Sequence, residues 1–513
     1  MAANLTFFQN TSDFSIESFT STSINVVGMT PEDSLRGKVT SVLQLAASQQ
    51  SISSVLGDQS AIGSIHNSEE RSTAPRCMEE TRVAVQNELY SWLLEDTEKF
   101  APPAVKMKWV TGPAGTGKTA ILGSVAGRCH EEDRLAASFF FSSLSTVRRR
   151  IKTHLIPTIA YQFASNARMT SLRPFILCAI QTNPSIFKLD LDTQVSQLIL
   201  KPLEKVPIFK RSSWPKAIII DGLDECEAVP TRDGDGSNPA LRQKVDQTDI
   251  LRALLKASKT PHFPFRILIA SRPEQAIRKF VEDNESSLEE TLQLDEEYNA
   301  MEDIKLFVKS KFKEIRRDAG LPPEWPLQID EEALVRNASG QFIYAGVAMG
   351  FIQHSRTHDN AQNRLALVLS PVNNISNESE NPFALIDALY FKILKQSPDA
   401  NRSVQWLWQI QNDLDGDHSR RSPMKRHRAK FITDFLQYND GEFEELLGSF
   451  RSLMKVPELH DHQSSFIFYH KSLFEFLCDP LRCKDLYIDY RVRRNWYMQR
   501  YLEHCASTSF ISL

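Results

Sequence analysis

The octapeptide Gly112-Pro113-Ala114-Gly115-Thr116-Gly117-Lys118-Thr119 constrains this chain more than any other stretch. It has the form G-x-x-x-x-G-K-[ST], a phosphate-binding loop. Glycines at 112, 115 and 117 let the backbone curl round an anion with successive N–H groups turned inward. Lys118 adds a positive charge near the β- and γ-phosphates, and the Thr119 hydroxyl is a ligand for Mg²⁺. Such a loop has to open a helix, whose N-terminus supplies further unpaired N–H groups and a partial positive charge. The flanks meet that need. Met107–Val110 reads as a strand, and Ile121, Leu122, Val125, Ala126 and Cys129 recur at helical spacing. The residues from Gly112 to Ala120 are therefore expected around a nucleoside di- or triphosphate with Mg²⁺.

A second stretch, Trp214 to Cys226, is a short aliphatic strand that ends in acids. Beside a phosphate loop its first acid, Asp221, can orient the water shell of Mg²⁺. Asp224 and Glu225 lie just past the strand tip, where one of them can accept a proton from an attacking water. A third strand, Phe265 to Pro273, ends in Ser271 and Arg272. An arginine at such a tip can reach the γ-phosphate, and it can also simply cap the strand end. Strands also read at Ala136–Phe141 and, at an edge, Thr291–Leu294. Helical patterns lie between them, at Met78–Leu94 (apolar face Val83, Val85, Leu89, Trp92 and Leu93), Ile151–Ala164, Phe175–Gln181, Val195–Leu203 and Ile250–Ala257. Pro230 to Pro239 reads as a loop. The alternation predicts an α/β fold, a parallel sheet with helices on both faces.

At 513 residues the chain is too long for one ordinary core. A net charge of −4 gives no general attraction to nucleic acid or anionic membrane, and the basic cluster Arg420–Lys430 reads as a solvated face. The seven cysteines form no C-x-x-C pair and fit a reducing compartment. Apolar runs such as Phe342–Ile352 fall short of a membrane helix, so a cytoplasmic protein without an integral membrane segment is expected. Residues 1 to about 65 are rich in Ser, Thr, Asn and Gln. They read either as a solvated, disordered arm or as a β-forming segment that pairs with copies of itself, with an amphipathic helix between Pro31 and Leu56. Beyond Gln275 the pattern turns helical at Met301–Ile315, Asp330–Asn337, Phe342–Gln353 and Phe383–Leu394. A linker reads at Ser370–Pro382 and a β-like run at Ser465–Tyr469.

Taken together, several stretches resemble the NACHT family of signal-transduction NTPases, in the form common in fungi. They are Pro75–Arg82, WVTGPAGTGKTAI, Ile156–Ala164, AIIIDGLDEC and RILIASRP, followed by Ser339–Ile352 and Phe468–Pro480. The likeness spans roughly residues 75 to 490. It implies an N-terminal arm (1–75), a nucleotide-binding domain (76–276), a helical domain with linker (277–372), a winged-helix-like domain (373–490) and a C-terminal helix or tail (491–513). It also implies a nucleotide-gated switch in which ADP is clamped between the domains, and exchange for ATP releases the chain for homo-oligomerisation with slow hydrolysis. By this resemblance Arg272, Asp221, Asp224 and Glu225 carry the family's sheet-edge roles, and His470 touches the phosphates of the closed state. Read on its own, a lone histidine is as readily structural. The C-terminal sensing repeats of many relatives and an N-terminal effector domain find no counterpart, so the signalling partners are not identified. Two other readings stay open, a turnover ATPase or kinase acting on a separate substrate and a scaffold with structural nucleotide. ATP is favoured over GTP, since no Asn-Lys-x-Asp guanine-reading motif occurs.

Overall fold

The computed structural model describes residues 55–95, 105–229, 238–261, 263–294, 300–354, 358–371, 383–415, 429–439, 441–457 and 466–509, all within the unit Ile52–Leu513. The expected amphipathic helix between Pro31 and Leu56, most of the basic cluster and nearly all of the linker lie outside the described residues.

Five strands build the central sheet: β1 (Met107–Thr111), β2 (Leu135–Phe140), β3 (Ala217–Asp221), β4 (Arg266–Ser271) and β5 (Glu289–Gln293). They are all parallel, in the order β2-β3-β4-β1-β5. The inner strands are buried along their whole length, as a sheet covered on both faces requires, and β3 and β4 are accordingly largely aliphatic runs without alternation. One face carries Val110, Ile219, Leu268 and Phe140 against the helices Val83–Leu94 and Lys118–Glu131. The other carries Trp109, Ile220, Ile269 and Phe139 against Leu155–Ser165 and Pro239–Lys259.

Because all strands run the same way, their C-terminal ends share one edge. Thr111 registers with Ser271, and Phe140 with Asp221. That alignment sets the phosphate loop, the acidic turn after β3, Arg272 and the end of β2 side by side. The loops outside the carboxyl ends of such a sheet are where ligands bind.

Three local departures from the sequence expectations matter for the site. The first helix starts at Val83 rather than Met78, because Glu80 and Arg82 hold left-handed backbone (φ 70° and 54°) that no helix admits. Val83 itself is 47 % exposed, so the apolar face is Val85, Leu89, Trp92 and Leu93. Next, the helix expected at Ile250–Ala257 extends over Pro239–Lys259, started by Pro at its first turn and capped by the Asn238 carboxamide, which accepts from the Ala240 N–H at 2.9 Å. Finally, residues 55–71, placed by sequence in or beside a solvated arm, pack onto the sheet's helical layer. Leu56 and Ala61 are buried, the Ala61 N–H donates to Thr158 Oγ1 at 2.9 Å and the His66 N–H to Ser138 Oγ at 3.0 Å. Short 3₁₀ turns rather than a periodic helix form this stretch, which is why its composition reads as solvated.

Beyond the sheet the chain is helical. One hydrophobic core runs from Ile304 through Tyr344, Phe351, Tyr390 and Trp406 to Phe476 and Leu486. It joins residues that the sequence assigns to two domains. A two-stranded antiparallel ribbon, β6 (Met454–Lys455) with β7 (Ile467–Phe468), sits just ahead of His470.

Candidate functional site

The loop between β1 and the helix Lys118–Glu131 turns through Gly115 (φ 85°) and Gly117 (φ 91°), a left-handed geometry that a side chain would strain. Lys118 folds back over it, its Nζ donating to the Gly112 carbonyl at 2.6 Å and the Pro113 carbonyl at 2.7 Å. Burial pulls the ammonium pKa down to about 8 against the opposing field of Asp224. A cation partly stripped of water and held only by carbonyls is poised for an anion.

Across from it lies the acidic turn after β3. Asp221 is buried, and burial raises its pKa to about 6 against the opposing pull of Thr119 and Arg71. The two following acids are separated by their partners. Asp224 holds Arg272: Oδ1 accepts from the Arg272 backbone N–H at 3.0 Å, and Oδ2 lies 3.3 Å from its Nε. Glu225 accepts from both the N–H (2.8 Å) and the hydroxyl (3.1 Å) of Ser143. Burial, then the neighbouring Asp224, raises its pKa while Lys471, Ser143 and Arg272 oppose the rise. Asp224 is thus engaged by Arg272, and Ser143 occupies the Glu225 carboxylate in this arrangement.

The walls come from the helical region. The helix Phe342–Gln353 opens directly on the loop, with the Ile343 N–H 3.4 Å from the Gly115 carbonyl. A Cβ on Gly115 would stand 2.3 Å from Ile343 Cγ2, so the approach requires glycine there. From the helix Ser472–Cys478, Glu475 Oε1 takes Arg272 Nη1 at 2.8 Å. Glu475 and Asp224 together outweigh burial and raise the guanidinium pKa. His470 is half-buried beside them, and desolvation lowers its pKa to about 4, so it stands neutral at pH 7. The cavity is about 420 Å³ and is lined by Lys118, Thr119, Asp221, Glu225, Arg272, Phe342 and His470 among others. That is within the range of small-molecule and cofactor pockets. Gly112, Pro113 and Thr116 belong to the loop but not to the cavity wall, whereas Ala114, Gly115, Gly117 and Ala120 line it.

Residues 86–272 match the family model described as nephrocystin 3, N-terminal. The match starts inside the first helix and ends on Arg272, so it takes in the loop, the acidic turn and the sheet edge. The matched residues carry a P-loop NTPase domain. Among solved structures it is similar to the Walker-type ATPase PABY2304 of Pyrococcus abyssi (14 % identity, 80 % of this chain and 98 % of that one, TM-score 0.33). It is also similar to a chain of the Drosophila ORC bound to DNA (12 % identity, 74 % and 90 % covered, TM-score 0.27). No curated protein matches the sequence.

The P-loop NTPase site also uses residues that motif reading passed over. Arg82, in left-handed backbone, donates from Nη2 to the Thr116 carbonyl at 3.3 Å and pairs with Asp303 at 3.8 Å, bracing the loop against the helical region. Arg149, after β2, pairs with Glu70 at 3.6 Å, and Arg71 lines the same cavity. Arg82 closes the Pro75–Arg82 stretch and was within reach of the sequence. Arg71 and Arg149 carry no local signal, because what makes them special is packing.

The oxygen-rich set fits Mg²⁺. Among the described residues no three His, Cys, Asp or Glu side chains converge as a metal site. The ion would instead rest on the Thr119 hydroxyl, the buried Asp221 carboxylate acting through water, and nucleotide phosphates, which is how Mg²⁺ is commonly held. Once bound it would neutralise phosphate charge. With such a group bound, Lys118 and Arg272 would face the phosphates and Glu225 would stand on the cavity wall beside them.

Proposed function

We propose that the chain is a nucleotide-gated switch that binds ATP or ADP with Mg²⁺, hydrolyses ATP slowly and controls its own self-association in a signalling pathway. One observation carries the reading. Arg272, at the tip of β4, reaches Glu475 in the C-terminal helical region, 2.8 Å across the mouth of the phosphate cavity. The cation placed to greet a γ-phosphate is therefore also a latch between the sheet and the region that closes over it. A γ-phosphate competes with Glu475 for the same guanidinium, so arrival of ATP weakens the contact that holds the closed form.

The magnitudes suffice. Reversing a 99:1 preference takes about 10⁴-fold, roughly 5.5 kcal/mol, of differential binding. Charge-assisted hydrogen bonds are worth about 1.5–3 kcal/mol each, so Lys118, Arg272 and Mg²⁺ acting on one phosphate reach that sum. Ser143 on Glu225 supports slow rather than fast turnover, since the carboxylate must leave it before it can work.

The test is the rate at which bound ADP exchanges. Glu475→Gln keeps the shape and removes the charge, so ADP release is expected to quicken about tenfold or more, read with a fluorescent ADP analogue. An unchanged release rate, in protein that retains ADP, contradicts the latch.

A further inference from the structure

Most buried cations on the chamber wall face an acid. Arg82 has Asp303, Arg149 has Glu70, and Arg272 has Asp224 and Glu475. Arg71 has no such contact. It is 7 % exposed and lines the cavity, yet its Nε finds no hydrogen-bond partner and no carboxylate pairs with it among the described residues. Asp221 acts on it through its field without touching it, and a guanidinium buried without a contacting anion is costly, a cost that a ligand's anionic oxygen would offset.

Its placement is fixed from two sides. The guanidinium lies over the Phe140 ring, 3.6 Å from the centroid, and Phe140 registers with Asp221 across β2 and β3. Its Nη2 is 3.8 Å from where a Cβ of Gly123 would stand, on the loop helix about one turn beyond Thr119. Arg71 therefore comes to the cavity from the β2 side of Asp221, while Arg272 comes from the β4 side. Stacking on Phe140 orients the guanidinium plane and leaves its edge free for oxygen acceptors.

We propose that Arg71 is a phosphate-contacting residue of the nucleotide site, its guanidinium donating to a non-bridging phosphate oxygen of the bound nucleoside di- or triphosphate. This rests on the phosphate-loop reading above. It adds a contact from the segment ahead of the first helix, and so makes that segment part of the ligand's recognition.

The experiment compares ADP with adenosine on the full chain by calorimetry, for wild type and Arg71→Met, which keeps the apolar stem and removes the charge. Affinity for ADP is expected to fall about 10- to 100-fold, the size of one charge-assisted bond, with adenosine affinity unchanged. Equal ADP affinity in both proteins overturns the proposal. So does a parallel loss of ADP and adenosine, which marks Arg71 as structural support for the Phe140 face. Should Arg71→Met not fold, Arg71→Lys decides by the same ratio: a several-fold loss for ADP alone supports the contact, and an unchanged ratio refutes it. Wild type that binds no ADP at all sinks the phosphate-loop reading itself. ADP binding that is lost with Lys118→Ala but indifferent to Arg71 sinks only this proposal.

Discussion

At the scale of single residues, the chamber is built from charges kept out of water, and pH exposes them. His66 is 8 % exposed, with His130 at 4.6 Å between ring centroids and Arg71 and Arg76 nearby. Burial first, then the fields of these neighbours, lowers its pKa to about 3. The unfolded chain takes up a proton near pH 6.5 and the folded one does not, so the stability His66 contributes is present above pH 6.5 and drains as pH falls toward 3. At pH 5 the loss is about 2 kcal/mol. His66→Gln should therefore lose about 2 kcal/mol less than wild type between pH 7 and pH 5 in urea unfolding. Equal losses would contradict the buried neutral ring. Asp221 runs the other way, since its pKa is raised to about 6 and it adds stability as pH falls, but it is common to both proteins and cancels in the comparison. Lys118, Asp221, Asp224, Glu225 and Arg272 were legible because each sits at a fixed offset from a strand end. The division of labour between Asp224 and Glu225 was not, since it depends on Arg272 and Ser143 arriving from other parts of the chain.

At the scale of elements, the helix Phe342–Gln353 pressing on the loop is the contact most sensitive to one atom. Gly115→Ala forces a left-handed alanine, costing about 1–2 kcal/mol, and drives its Cβ to within 2.3 Å of Ile343 Cγ2. The substitution is expected to be much less harmful in an Ile343→Ala background, because only the backbone strain remains. A double-mutant cycle on stability measures this, and costs that add to within about 0.5 kcal/mol would show that the two elements do not touch. The helix itself was legible to the residue, since its apolar run is unbroken. Its docking partner was not, because hydrophobic periodicity states that a face is buried and not against what. The helix Pro239–Lys259 shows the converse. Its first half buries polar work, with Gln243 and Gln247 each donating to the Asp224 carbonyl at 3.3 Å, so the apolar period begins only near Ile250.

At the scale of the whole molecule, a sheet edge and a helical region with its own core meet over one cavity. The parallel α/β sheet followed by helices follows from the alternation of patterns, whereas the order β2-β3-β4-β1-β5 does not, because strand neighbours are chosen by crossovers that leave no local mark. Nor did composition show that residues 55–71 belong to the sheet layer, where Leu56 is fully buried. Among the described residues no helix is long and apolar enough to cross a membrane. In the proposed switch, the nucleotide bound at Lys118 sets whether Arg272 stays on Glu475, and through it whether the chain self-associates. The most direct measurement is the mass of the full chain by light scattering, with ADP and with a non-hydrolysable ATP analogue, each with Mg²⁺. A monomer that retains ADP and a larger assembly with the ATP analogue are predicted, with Glu475→Gln assembling at lower analogue concentration. One unchanging mass in both nucleotides, for wild type and Glu475→Gln alike, would contradict it.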